Sequence, residues 1–223
     1  MTQEYYAKKL SAERLRKVYE VASPRVRQYL EGEIRFVLDR IEPDARVLEL
    51  GCGYGRVLGK LSSRTKRIVG IDTSWESLKM AADEGRGGSL FVLMNAAFLG
   101  FAEETFDLVA CIQNGISAFK VEPLELMQEA LRITRAGGRA LFSSYSEKFW
   151  PYRLEWFREQ AAHALLGEID EEATGNGVIV CKDGFRATTF SPDDFVALAS
   201  KLGTTAEIFE VDDSSIFCEI IRP

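Results

Sequence analysis

Apolar side chains recur every three or four positions at the start of the chain. Leu10, Leu15, Val18 and Ala22 keep that spacing, which predicts a helix over 3–22. Ser23-Pro24 restarts the pattern: serine caps a helix N-terminus, and proline at the first helical position has no amide to leave unsatisfied. Val26, Tyr29, Leu30, Ile34, Val37, Leu38 and Ile41 then mark one face of a second helix, which Pro43 ends. From residue 46 the period changes. Apolar runs at 46–50, 67–71, 90–94, 106–111 and 139–145 predict strands. Helical stretches at 54–63, 75–84 and 122–135 separate most of them. Thr73-Ser74-Trp75-Glu76 has the form of a capping box ahead of the second stretch, and Gly137-Gly138 stops the third.

Strands alternating with helices imply a parallel sheet with right-handed crossovers. The strands read as continuous apolar runs, as expected where helices cover both faces. After Tyr145 the rhythm breaks. A helix is expected over 150–166, and 178–181 and 185–190 flank Lys182-Asp183-Gly184 as a hairpin, Asp-Gly being a strong turn signal. Ser191-Pro192 caps a helix ending near Gly203. Strands at 206–211 and 216–221 close the chain around Asp212-Asp213-Ser214. At 223 residues the chain suits one domain. Its expected parts are a helical cover (1–42), a core (43–145), an insertion (146–190) and a closing helix with two strands (191–223). The insertion is too short for a core of its own.

Charge and rare residues narrow the chemistry. The formal charge is −6, from 28 Lys+Arg against 34 Asp+Glu. Gripping a nucleic-acid backbone needs concentrated positive charge, so no nucleic-acid partner is expected. The cations within 14–27 read as a solvated helix face. Cys52, Cys111, Cys181 and Cys218 form no Cys-x-x-Cys pair and sit in apolar or glycine-rich contexts, which predicts buried thiols in a reducing compartment. The polar N-terminus and the lack of a run near 18 apolar residues predict a soluble, cytoplasmic protein with no membrane partner. His163 is the only histidine, so a His-x-x-x-His zinc helix is excluded. It sits in Ala161-Ala162-His163-Ala164-Leu165, and no Gly-x-Ser-x-Gly elbow accompanies it.

Val47-Leu48-Glu49-Leu50-Gly51-Cys52-Gly53-Tyr54-Gly55-Arg56 runs a strand through glycines into a helix. Glycine allows a tight turn and a close approach to a ligand, and the helix N-terminus faces the same place. Asp72 ends the second strand about 20 residues on, where a carboxylate can accept from ribose hydroxyls. The spacing is Gly-x-Gly-x-Gly, not the Gly-x-Gly-x-x-Gly of dinucleotide sites.

These residues, in this order, resemble the class I S-adenosylmethionine-dependent methyltransferases. Glu49-Leu50-Gly51-Cys52-Gly53-Tyr54-Gly55-Arg56 is similar to their first motif, Ile71-Asp72-Thr73-Ser74 to their second and Phe106-Asp107-Leu108-Val109 to the strand after the adenine loop. Arg135-Ala136-Gly137-Gly138-Arg139 is similar to their turn before the fifth strand, with Ala136 in place of a proline. The resemblance spans about 45–145. It implies a Rossmann-like α/β sheet, mostly parallel with an antiparallel C-terminal edge, helices on both faces, and S-adenosylmethionine as cofactor with S-adenosylhomocysteine as product. It also implies roles for particular residues. Gly51, Cys52 and Gly53, with Gly55 and Arg56 completing the motif, would line the methionine part and the ribose. Glu49 would hold the ammonium, Asp72 and Thr73 the ribose hydroxyls, Asn95 and Ala96 the adenine, and Gln113 the methionine part or the substrate. Asn95 departs from the family's aspartate, but its carbonyl oxygen can still accept from an amine.

Cys111-Ile112-Gln113-Asn114-Gly115 lacks the Asn-Pro-Pro-Tyr of amino-methylating nucleic-acid enzymes, and no metal-ligand cluster supports a catechol-type magnesium site. The expected reaction is in-line displacement onto a small-molecule acceptor about 3 Å from the methyl group. The catalytic residues are unknown; Tyr5, Tyr6, Tyr19, Tyr145, His163 and Glu147 are candidate bases on the variable elements. Tyr5, Tyr6, Tyr19, Phe149, Trp150, Tyr152, Trp156 and Phe157 suggest that the N-terminal helices and the insertion cover the cofactor. A homodimer is compatible with this reading. Two alternatives stay open: an NAD-dependent oxidoreductase, and a non-catalytic S-adenosylmethionine-binding regulatory module.

Overall fold

The computed structural model describes residue 5 and residues 9–85 and 88–223. Tyr6 lies outside them, as does part of the first predicted helix, which is described from Ala12 to Glu20 (α1). Helix α2, Pro24–Leu38, starts as its sequence requires: the Ser23 hydroxyl accepts from the Val26 amide, and Pro24 fills the first turn.

The strands and helices then alternate: β1 Val47–Leu50, α3 Arg56–Leu61, β2 Ile68–Asp72, α4 Trp75–Asp83, β3 Leu90–Leu93 and β4 Phe106–Cys111. A short helix α5, Gly115–Ala118, was not foreseen. Next come α6 Pro123–Ile133, β5 Thr134–Tyr145, α7 Trp150–Ala162, the hairpin β6 Val178–Val180 and β7 Arg186–Thr188, α8 Pro192–Lys201, β8 Glu207–Val211 and β9 Ser215–Ile221. Among the described residues the main sheet has seven strands in the order β3-β2-β1-β4-β5-β9-β8. β1 to β5 run parallel, and β9 pairs antiparallel with β5 and with β8. This is the Rossmann-like sheet with an antiparallel edge.

Three sequence expectations change. The cap of α4 is Ser74, whose hydroxyl accepts from the Ser77 amide; Thr73 is left facing the strand ends. The helix expected to run to 135 ends at Ile133, and β5 begins at once. Gly137, at φ +70, lies within that strand, because its amide donates to the Arg222 carbonyl and the Arg222 amide donates to the Gly138 carbonyl. A sheet partner distant in sequence thus overrides the local stop signal. The helix expected to reach 166 ends at Ala162, with Ala164 in the left-handed region just beyond it.

Buried side chains form three clusters. One packs α6 and α8 on the sheet through Leu126, Met127, Ile133 and Phe195, and a second packs α2, α3 and α4 on the opposite face through Ile34, Val37, Leu58 and Leu78. The third lies beyond the sheet and joins α1 and α2 to the insertion through Val18, Val26, Tyr29, Trp156, Phe157 and Phe185. Arg153, fully buried on α7, fastens the hairpin: its guanidinium donates to the Gly177 carbonyl (2.9 Å) and the Thr189 hydroxyl (2.6 Å).

Candidate functional site

The carboxyl ends of β1, β2 and β4 open into a cavity holding about 1320 Å³ of empty space, part of it continuous with solvent. Of the eleven residues singled out from the sequence, Glu49, Gly51, Asp72, Thr73, Asn95, Ala96 and Gln113 line it. Cys52, Gly53, Gly55 and Arg56 do not. The Cys52 sulfur packs into the core under Gly70, where an added Cβ would lie 2.7 Å from it, and burial pushes the thiol far above its ordinary range. Gly55 takes φ +76 at the start of α3 and packs near Phe91 and Ala81. The Arg56 guanidinium lies 4.3 Å from the centre of the Tyr19 ring.

The glycine loop is held from behind. The amides of Gly51 and Cys52 both donate to the Ile71 carbonyl (2.9 Å each), Gly55 donates to Cys52, and Gly53 donates to Asp72 Oδ2 at 2.8 Å. These amides are spent within the protein. What the loop offers a ligand is close approach without a Cβ, and Gly51 is where that is tightest: a methyl there would lie 2.5 Å from the Phe119 ring. Asp72 braces both sides of the site, because its Oδ1 accepts from the Ser74 amide at 2.8 Å. Asn95 Oδ1 accepts from the Ala97 amide at 2.9 Å, which fixes the turn that carries Ala96.

Glu49 is the electrostatic centre. It is buried, its Oε2 has no hydrogen-bond partner among the described residues, and burial raises its carboxyl to about 8; Arg56 pulls the value down and Asp72 pushes it up. An unpaired buried carboxylate is costly, so this group stays largely protonated until a cation arrives.

Gln113 and Asn114 follow β4 with φ of +57 and +59, two consecutive non-glycine residues in the left-handed region. Such strain persists only where the surroundings over-determine it. Here Gln113's amide points at Glu33 Oε2 (2.7 Å) and Ser143 Oγ (2.8 Å), while the Asn114 amide nitrogen donates to the Thr188 carbonyl and its Oδ1 accepts from Ser144. The turn aims the Gln113 side chain into the cavity, where Oε1 accepts from the Tyr19 hydroxyl and Nε2 has no partner. Glu33 was not singled out from the sequence. It is fully buried on α2 and raised to about 7 by burial, partly offset by hydrogen bonds from Ser143 and the Gln113 amide. The signal was present: position 33 interrupts an otherwise apolar stripe formed by Val26, Tyr29, Leu30, Ile34 and Val37.

α1 roofs the loop. Leu15 lies over Gly53, the Ala12 amide donates to Ser77 Oγ (2.9 Å), and Arg16 forms an ion pair with Glu84. The insertion closes the far side: Trp156 Nε1 donates to the Val18 carbonyl at 3.0 Å, and Trp156, Phe157, Gln160 and Phe185 line the cavity. Of the candidate bases, Tyr19 and Tyr145 face it, and burial raises both hydroxyls, that of Tyr145 to about 12. Tyr5 donates to Asp183 at 2.6 Å outside it, and His163 and Glu147 are on the surface. Among the described residues no cluster suited to a metal ion occurs, and no helix is long and apolar enough to cross a membrane.

Residues 48–142 match a family model described as a methyltransferase domain. A demethylmenaquinone methyltransferase of Thermobifida fusca is 30% identical over 104 residues, 45% of this chain and 43% of the relative. A malonyl-[acyl-carrier protein] O-methyltransferase of a Marinomonas strain is 31% identical over 139 residues, 55% and 50% of the two chains. The chain spans about half the length of the curated relatives it matches. Among solved structures, a Pyrococcus horikoshii protein superposes over 100% of both chains with a TM-score of 0.66 at 20% identity. The magnesium protoporphyrin IX methyltransferase of Synechocystis superposes over 99% of this chain and 95% of its own, with a TM-score of 0.64 at 14% identity. At these identities the likeness speaks for the fold.

Proposed function

We propose that this chain, whose residues 48–142 match a methyltransferase domain, is a class I S-adenosylmethionine-dependent methyltransferase that transfers the methyl group to a small-molecule acceptor held in the roofed cavity. The observation that carries the reading is the buried, partnerless oxygen of Glu49, beside a Cβ-free Gly51 and in one cavity with Asp72. A cationic ligand with a ribose fits that donor set. Glu49 holds the ammonium, Gly51 gives the methionine part room, Asp72 and Thr73 take the ribose hydroxyls, Asn95 and Ala96 meet the adenine, and Gln113 sits between cofactor and acceptor. The roles of Cys52, Gly53, Gly55 and Arg56 are indirect in this reading: they shape the loop and the roof.

When bound, S-adenosylmethionine supplies a sulfonium methyl whose carbon–sulfur bond breaks, leaving its electron pair on sulfur, as the acceptor's electron pair bonds the methyl carbon. A proton on the attacking atom is released to solvent. The chain's own contribution is orientation and exclusion of water, since α1 and α7 close over the strand ends. The relatives named above are methyltransferases of small acceptors or carrier-bound acyl groups, which supports a small acceptor here.

Parallel calorimetric titration with S-adenosylmethionine, S-adenosylhomocysteine and NADH tests the reading. The two sulfur compounds bind, and Asp72→Ala, which frees the Gly53 and Ser74 amides, weakens both by roughly 10- to 100-fold, the scale of hydrogen bonds to a charged group. Binding of NADH alone overturns it.

A further inference from the structure

The acceptor end of the cavity has a composition of its own. Its walls are Tyr29, Tyr145, Trp156, Phe157 and Phe185, drawn from α2, β5 and the insertion. The Tyr29 and Tyr145 rings lie 5.1 Å apart, and Phe157 lies 5.7 Å from Phe185. Tyr29, Gln113 and Gln160 line this aromatic chamber; the Tyr29 hydroxyl pairs with that of Tyr145, while the buried Gln113 Nε2 and Gln160 Nε2 have no partner among the described residues. Gln160 is only 2% exposed. Both nitrogens are pure donors, and a donor left unpaired in an apolar chamber is paid for only if a ligand oxygen or nitrogen completes it. Among the described residues that line the cavity there is no lysine, arginine or histidine, while Glu49 and Asp72 both do. A carboxylate or phosphate would meet no counter-charge there.

The remaining constraint is reactivity. The two tyrosines facing the chamber that could act as bases have hydroxyls raised by burial, so both stay protonated near neutral pH and neither is available to accept a proton. An aliphatic alcohol would need such a base, whereas an aromatic hydroxyl, ordinarily ionising near 10, gives up its proton far more readily and feeds electron density into its ring.

Resting on the methyl-transfer reading above, we propose that the acceptor is a neutral, planar aromatic molecule bearing at least one hydroxyl or carbonyl oxygen, packed against these rings with that oxygen toward the Gln160 and Gln113 amides.

The test uses the full chain saturated with S-adenosylhomocysteine, whose own titration is recorded first. Three probes of one carbon framework are then compared by calorimetry: 2-naphthol, the anion 2-naphthoate and the saturated 2-decalol. 2-Naphthol binds at least about tenfold tighter than the other two, and Gln160→Leu removes about tenfold of that affinity while S-adenosylhomocysteine binding stays unchanged. Tyr29→Phe is the second variant, should Gln160→Leu fail to bind S-adenosylhomocysteine, and it is expected to weaken 2-naphthol alone. Equal or tighter binding of 2-naphthoate or 2-decalol overturns the proposal, as does a complex that binds none of the three. Failure of the native chain to bind S-adenosylhomocysteine strikes the methyl-transfer reading itself, and the two failures are thereby told apart.

Discussion

Glu49 makes the sharpest prediction, because its protonation must change when a cation arrives. In the free protein its carboxyl sits at about 8, raised by burial and by Asp72 and lowered by Arg56. At pH 7 it is therefore roughly nine-tenths protonated. A ligand ammonium against the partnerless Oε2 favours the carboxylate, so Glu49 gives up close to one proton on binding at pH 7 and little at pH 9, where the ligand's own amine instead takes one up. The linkage gives the size. Below 8 affinity rises nearly tenfold per pH unit, which amounts to about 50-fold between pH 6 and pH 8. The ligand's own α-amino group, which ionises near 7.7–8.0, takes back about twofold at the upper end, leaving about 25-fold. Calorimetric titration of S-adenosylhomocysteine at pH 6, 7 and 8, in two buffers of different ionisation enthalpy, reads both the affinity and the protons released. Glu49→Gln binds more weakly and loses the rise between pH 6 and 8 along with the proton release. A native affinity that is flat over this range, with no proton released at pH 7, would refute the assignment of the ammonium to Glu49.

Other expectations follow from the same geometry. Ligand-free stability should fall as pH rises: Glu33 and Glu49, at about 7 and about 8 in the folded chain against an ordinary 4.5, hold more protons folded than unfolded between those limits. The urea midpoint is then lower at pH 8 than at pH 6, and Glu33→Gln flattens part of the slope; a midpoint that rises over this interval contradicts the burial of both carboxyls. Gly51→Ala places a methyl 2.5 Å from Phe119 at φ +75, so denaturation should show a loss of about 1–3 kcal/mol, with Phe119→Ala restoring part of it. Trp156→Phe removes the bond to the Val18 carbonyl, at a cost of about 1 kcal/mol. Amide exchange in α1 should quicken while that of β1 and β4 is unaltered; equal exchange in both would mean that Trp156 does not hold the roof.

The strands were legible because their apolar residues are consecutive in sequence. 106–111 matches to the residue, 46–50 and 90–94 miss by one residue at one end, and 67–71 is displaced by one residue. What escaped depends on partners far along the chain. Gly137-Gly138 carries the local mark of a stop, yet Arg222 extends the ladder through it, and only the register of β9 reveals that. The same limit governs the site. The glycine loop and Asp72 could be placed in advance because strand ends and turns are local. The chamber opposite them is built from Tyr29, Tyr145, Trp156 and Phe185, whose meeting is decided by how α2 and the insertion fold back over the sheet. Yet the sequence does mark its polar members. Glu33 and Gln160 each fall on a buried helical face among apolar neighbours, Gln160 following Trp156 and Phe157 at a spacing of four and three. A polar residue kept on such a face costs stability unless something completes its hydrogen bonds. For Glu33 the strained Gln113 turn completes Oε2, while Oε1 has no partner among the described residues. For Gln160 no group among the described residues completes Nε2, and this is the amide that the proposed acceptor oxygen would complete.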